Sequence, residues 1–370
     1  MVASVRTSVR TSLVALWPSL VAARLAVLAG WIIAGVVRSG TQPTTRLRAE
    51  GLLAWDGTWY RDIAVAGYDA LPAEALRFFP VFPMVARALA LPFGDPAVPW
   101  TLVLVANVAA VVAAVMIRQL VIDERGDEVL ANRAAVALTL FPTAFVLVWA
   151  YSESLFLVAA IGVLWGVRTG RWGMAALAGL VAGATRPLGV LLAVAVAVEV
   201  VRAWSTSTTR VRVAGLVALA APVVGTGAWL AWVGWRFGDP LYPFTGQEEF
   251  RGDAVNPLVR IWQALGDAVG SEMFGDGLHL PFAVAFVVLT VVVLRTWPVS
   301  YGLFTVAVMA TALAAENLNS LERYALNAFP LVLAVAGLCT VRWRSMAAVA
   351  VGLTGIVSLS ALAWMGIYVP

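Results

Sequence analysis

The chain has 370 residues, 61% of them hydrophobic and 12% charged, with a mean hydropathy of +0.88; soluble domains carry about a quarter charged residues, so a soluble core of this size is excluded. Every basic residue is an arginine and the net charge is +4, yet no basic cluster interleaves with stacking aromatics, which excludes a nucleic-acid surface. Cys339 is the only cysteine and His279 the only histidine, so disulfides, thiolate metal centres and two-histidine metal sites are excluded, no cofactor is expected, and acid–base chemistry falls to carboxylates.

Apolar runs near the roughly 20 residues that cross about 30 Å of hydrocarbon recur from Leu13 to the carboxyl end. The pattern predicts an all-α transmembrane bundle forming a single domain over residues 1–370, in contact with membrane lipids on all sides. Leu13–Val37 follows Arg6 and Arg10 and is too long for a signal-peptide core, so it is the first span. Holding arginine-bearing loops in the cytoplasm then predicts about eleven spans. Residues 38–97 form a first external segment, Val98–Arg118 returns, Arg133–Ala150 leaves and Ser152–Arg168 comes back. The stretch Trp172–Val201 is too long for one span and is interrupted at Arg186-Pro187, which predicts two short limbs meeting near the outer face. Val211–Trp235 leads to a second external segment, residues 236–277, followed by spans at Leu278–Leu294, Trp297–Ala315, Ala325–Val341 and Met346–Ile367. Phe78–Phe93 is short, starts with two prolines and contains Arg87, and Val255–Val269 has apolar residues at helical spacing; both read as external helices lying on the membrane.

This map gathers four polar constellations on one side: WDGTWYRDIAVAGY at Trp55–Tyr68, YSES at Tyr151–Ser154, ATRPLG at Ala184–Gly189 and LERYALNAFP at Leu321–Pro330. Each has a plain reading. Asp56 can cap the helix that follows it, with Trp55 and Trp59 as interface anchors, Glu153 can be the acid at a helix N-terminus, and Arg323 with Tyr324 can belong to a polar loop. Arg186 is harder to read that way, because an arginine between short apolar limbs is costly unless it faces protein, water or an anion, and a helix broken at membrane depth is tolerated only around cavities or protein contacts. One external carboxylate near two external arginines suits a phosphate-bearing substrate: the arginines stabilise charge on a departing phosphate while the carboxylate takes a proton from an attacking hydroxyl.

The ordered set WDGTWYRDIAVAGY, FFPVFPMVAR at Phe78–Arg87, SES, ATRPLG and RYALNAFP resembles the PIG-V-like mannosyltransferases of the GT-C class of membrane glycosyltransferases, over nearly the whole chain. The resemblance implies a polyprenyl-phosphate-mannose donor, a glycolipid or cell-envelope glycan acceptor, metal-free inverting transfer on the extracytoplasmic face of a bacterial plasma membrane, and Asp56 as catalytic base. It further implies a pocket containing Trp55, Arg61 and Glu153, with Arg186, Arg323 and Tyr324 toward the donor phosphate and Phe79 shaping the sugar or lipid site. Trp59 and Tyr60 stand where eukaryotic members that build glycosylphosphatidylinositol often have histidine, which bears on the acceptor rather than the chemistry. Two rivals come from other classes. A transporter or lipid flippase also suits many spans and a broken helix, although no inverted repeat is visible and the spans after Trp172 contain only Glu199 as an acid. A scaffold subunit would tolerate replacement of Asp56.

Overall fold

A computed structural model describes residues 9–37, 42–252, 255–267 and 276–370. Arg6, the first residues of the 38–97 segment and positions 268–275 of the second external segment lie outside the described residues. The described chain is helical, without a β-strand, in the order α1 (Val9–Val37), α2 (Gln42–Glu50), α3 (Asp56–Ala66), α4 (Val81–Ala90), α5 (Val98–Arg125), α6 (Glu128–Thr139), α7 (Glu153–Arg168), α8 (Trp172–Thr185), α9 (Leu192–Ala203), α10 (Thr209–Phe237), α11 (Tyr242–Arg251), α12 (Pro257–Asp267), α13 (Asp276–Thr296), α14 (Val299–Leu313), α15 (Leu321–Asn327), α16 (Pro330–Leu338) and α17 (Arg342–Trp364). Because the apolar residues run all round most of these helices rather than along one stripe, they bury one side in the bundle and leave the other for lipid.

The chain is a multi-pass membrane protein, but with fewer full-length spans than the eleven expected. Six described segments are long and apolar enough to cross: Arg10–Val37, Asp95–Arg125, Pro187–Thr206, Thr209–Phe237, Asp276–Thr296 and Arg342–Trp364. A seventh is counted only if α15 and α16, which meet at 86°, are taken as one. The four remaining expected crossings are short. Helices α7, α8 and α14 have 16, 14 and 15 residues, about 21–24 Å at 1.5 Å per residue. The run Arg133–Ala150 stops being α-helical at Thr139, passes Pro142 and continues as a 3-10 turn over Ala144–Leu147. Hydropathy does not register the stop at Thr139, because the residues on both sides are mainly apolar; what shelters the broken backbone is burial, since most of α7 and every residue of the 144–147 turn are inside the bundle.

Small residues let the helices that carry the site approach closely. A Cβ at Gly183 of α8 would collide with the Pro222 carbonyl of α10, and one at Gly225 of α10 with the Leu180 carbonyl of α8, a backbone-to-backbone packing that only glycine permits. Helix α4 fills the place expected for Phe78–Phe93 and packs on α3 and α5. Helix α12 matches the expected amphipathic run, with Ala264 buried and Val259 and Trp262 exposed.

Candidate active site

At one end of the bundle the four constellations meet. Arg323 Nη1 donates to Asp56 Oδ2 at 2.5 Å, joining residues 267 positions apart. Arg323 Nε also comes within 3.3 Å of Glu153 Oε1 as an ion pair. Arg186 Nη1 donates to that same Oε1 at 2.5 Å and to Ser152 Oγ at 3.0 Å. Two carboxylates and two guanidiniums thus alternate in a chain Asp56, Arg323, Glu153, Arg186. Glu153 is wholly buried, the two arginine side chains are about nine-tenths buried, and Asp56 is the open end, with 25% of its side chain exposed.

Each member is held by local structure, and two of them follow strained backbone. Trp55 sits at φ 61°, ψ −119°, a region that non-glycine residues avoid, and Ser320 sits at φ 64°; such residues cost of order 1–3 kcal/mol and persist only where the surroundings demand them. They are the two non-glycine residues with positive φ among those described, and each immediately precedes the helix that supplies Asp56 or Arg323. Trp55 is pinned by its indole, which donates to the Ala363 carbonyl at the end of α17. Arg186 is extended at the end of α8, as a residue before proline is inclined to be. The 3-10 turn Pro187–Leu191 then folds back so tightly that a Cβ at Gly189 would strike the Ala182 carbonyl. Glu153 opens α7, where a negative charge faces the positive end of the helix dipole.

A second layer of hydroxyls orients the charges. Tyr151 Oη accepts the Asp56 backbone N–H at 3.3 Å, and its ring lies 5.5 Å from the Arg323 guanidinium carbon. Tyr60 Oη and Ser152 Oγ hydrogen-bond at 2.8 Å, and burial pushes the Tyr60 phenol well above its ordinary range, so it stays protonated. Tyr60 is four residues after Asp56 on α3, hence on the same face, a signal available in the sequence. Its ring packs edge-on against Phe78 and Phe82, which is how the FFPVFP segment supports the site.

Not every expected residue joins. Arg61 turns away, pairing with Asp62 and Glu50, because five residues along a helix from Asp56 lies on a different face. Phe79 is buried against Trp229 in a neighbouring apolar cluster. Trp55 contributes backbone placement and its indole bond to α17, and Tyr324 is buried on α15 beside Arg323. Nor does Asp56 cap α3: it is the first helical residue, the cap position belongs to Trp55 without a side-chain bond, and the carboxylate is spent on Arg323.

The cluster is also incompletely satisfied. Glu153 Oε2 and Arg186 Nε are buried without any hydrogen-bond partner, and Arg323 Nε, close to Glu153, is not aligned to bond it. Buried polar groups in native proteins are nearly always paired, and three of the unpaired atoms fall in this one cluster. No group of three or more metal-ligating side chains occurs among the described residues. Chemically, the arrangement offers an accessible carboxylate with two guanidiniums behind it, suited to a hydroxyl on one side and an anion on the other. No model of a known protein family matches this sequence, and no curated protein matches it.

Proposed function

We propose that the chain is a membrane glycosyltransferase that moves a mannosyl residue, with inversion, from polyprenyl-phosphate-mannose to a lipid-linked or cell-envelope glycan acceptor at the extracytoplasmic face of a bacterial plasma membrane, as PIG-V-like enzymes of the GT-C class do. The observation that carries the reading is the pairing of Asp56 with Arg323, the partly exposed end of the charged chain, in line with Glu153 and Arg186.

In this reading the acceptor oxygen bonds to the anomeric carbon on the face opposite the phosphate, and its proton passes to the Asp56 carboxylate. The bond from anomeric carbon to phosphate oxygen breaks, and its electron pair leaves on polyprenyl phosphate. Arg323 and Arg186 stabilise the added charge. A phosphate leaves without being protonated, so no second acid is required. Glu153 sits between the two guanidiniums and holds both. Because Arg323 Nη1 is occupied by Asp56 before substrate arrives, a donor phosphate that takes Nη1 releases the carboxylate, which makes donor binding the first step and acceptor binding the second.

The test is transfer of labelled mannose from polyprenyl-phosphate-mannose into a bacterial lipid extract, by purified protein and by Asp56→Asn. Loss of about 100- to 10,000-fold in the variant is expected for removal of a general base. Equal transfer by both removes Asp56 from the mechanism. The transporter reading draws support from a different observation, the part-buried Glu124 and buried Glu199 around Arg168 at the opposite end; it predicts movement of a glycolipid across proteoliposomes with no new glycosidic bond.

A further inference from the structure

Glu322 is wholly buried and its carboxylate receives two side chains that no step above uses. His279 Nδ1, from the first turn of α13, lies 2.8 Å and 3.0 Å from its two oxygens, and Tyr368 Oη, beyond α17, donates to Oε2 at 3.0 Å. The Glu322 backbone carbonyl accepts from Thr143 Oγ1 at 3.1 Å. One residue before α15, Ser320 Oγ donates to the Pro370 carbonyl at 2.8 Å. The first turn of α15 is therefore tied to α13, to the segment after Phe141 and to the tail beyond α17, all within a helix of seven residues.

Such a helix does not hold itself, since one or two hydrogen-bonded turns are unstable without tertiary support. Successive side chains on a helix point about 100° apart. Fixing Glu322 on one side thus fixes the direction in which Arg323, the next residue, leaves the helix. Arg323 needs that guidance more than most side chains: it carries several free rotors, and it must meet Asp56 with Nη1 while bringing Nε to Glu153. Ser320, at φ 64°, shows the backbone forced into register at the same place.

We infer that Glu322, clamped by His279 and Tyr368, is a positioning residue that aims the Arg323 guanidinium at Asp56 and at the anionic group of the substrate. The inference rests on the transferase reading for its substrate, a polyprenyl phosphate ester, but the aiming of Arg323 at Asp56 is a property of the protein alone. The clamp acts at a distance and touches no substrate; the single histidine of the chain serves as a hydrogen-bond partner of the Glu322 carboxyl through Nδ1.

Glu322→Gln and the milder Tyr368→Phe, each made with Arg323 intact and in an Arg323→Ala background, test this with two readouts. The first is transfer from polyprenyl-phosphate-mannose. Glu322→Gln is expected to lower kcat/KM by about 10- to 100-fold, the size of effect that misplacing a group by an ångström produces, and Tyr368→Phe by less. Neither is expected to lower it further once Arg323 is alanine, because a positioning residue has nothing left to aim. Equal losses in both backgrounds overturn the inference and leave the transferase reading standing. The second readout is thermal unfolding of the double-mutant cycle between Asp56→Asn and Arg323→Ala, measured once with Glu322 intact and once in the Glu322→Gln background. Its non-additivity is expected to vanish in the Glu322→Gln background; persistence overturns the inference. If the wild-type chain transfers no mannose at all, the transferase reading falls, and the unfolding cycle alone decides whether Glu322 aims Arg323.

Discussion

The two ends of the bundle each bury acids against arginine, and they do so to opposite effect. Away from the site, Arg168 at the end of α7 uses Nε and Nη2 on Glu124 and Nη1 on Glu199. Glu199 also accepts from Ser300 Oγ at 2.6 Å and Glu124 from Tyr301 Oη at 3.3 Å. No buried side-chain atom of this group is left without a partner among the described residues, and its members stand in regular α-helix, at the ends of α5, α7 and α14 and within α9. At the site, the charges stand at helix termini, beside a 3-10 turn and two residues of positive φ, and buried atoms of Glu153 and Arg186 are orphaned. A fully satisfied polar network rigidifies; an incomplete one set on strained backbone is poised for a ligand. The same kinds of residue thus make a closed clasp at one end and, on the transferase reading, a reaction site at the other, and the difference lies in hydrogen-bond completeness rather than composition.

Three substitutions sharpen or break that comparison. The largest effect is expected from Arg168→Ala, which removes the cation beside the part-buried Glu124 and leaves buried Glu199 only the Arg202 cation at 3.8 Å; about 3–5 kcal/mol of stability should be lost, read as a fall in Tm in detergent, while turnover per folded molecule is kept. Arg323→Ala should show the reverse pattern. Mannosyl transfer should fall by about 100- to 1,000-fold, equivalent to about 2.7–4 kcal/mol of transition-state stabilisation, with a smaller fall in Tm than Arg168→Ala because Glu153 retains Arg186. A larger stability loss at Arg323 than at Arg168 would erase the distinction between clasp and site. Ser152→Ala, which removes the hydroxyl shared by Tyr60 and Arg186, is the smallest: about 1 kcal/mol, seen as roughly a fivefold drop in kcat/KM.

The membrane character and the break at Arg186-Pro187 were legible from residue types alone, since proline and arginine inside an apolar run have few structural outlets. The meeting of Asp56, Glu153, Arg186 and Arg323 followed from alternating the spans. The length of the spans did not, because Arg133–Ala150 is uniformly apolar while its helix ends at Thr139 for reasons of packing and Pro142. Arg61 misled because proximity in the WDGTWYRD motif is not proximity on the helix surface. The clamp on Glu322 was invisible for a different reason: His279, Glu322 and Tyr368 are far apart along the chain, and nothing in hydropathy or charge links them until α13, α15 and the tail are packed.

The hydrogen bond between Asn107 and the Val148 carbonyl has a consequence for the bilayer. Asn107 lies well inside α5, about 14 Å from its Val98 end at 1.5 Å per residue over residues 98–107, and Val148 is part of the segment that leads directly to Tyr151 and Glu153. With α5 crossing the membrane, this bond ties the segment leading to the charged cluster to α5 below its Val98 end, in a bundle where α7, α8 and α14 are shorter than the long spans. Hydrophobic mismatch of this kind thins and bends the surrounding lipid leaflet. On the transferase reading, a lipid-borne phosphate reaches the arginines with its tail still in the hydrocarbon, and a thinned leaflet favours lipid-linked sugars over free nucleotide sugars.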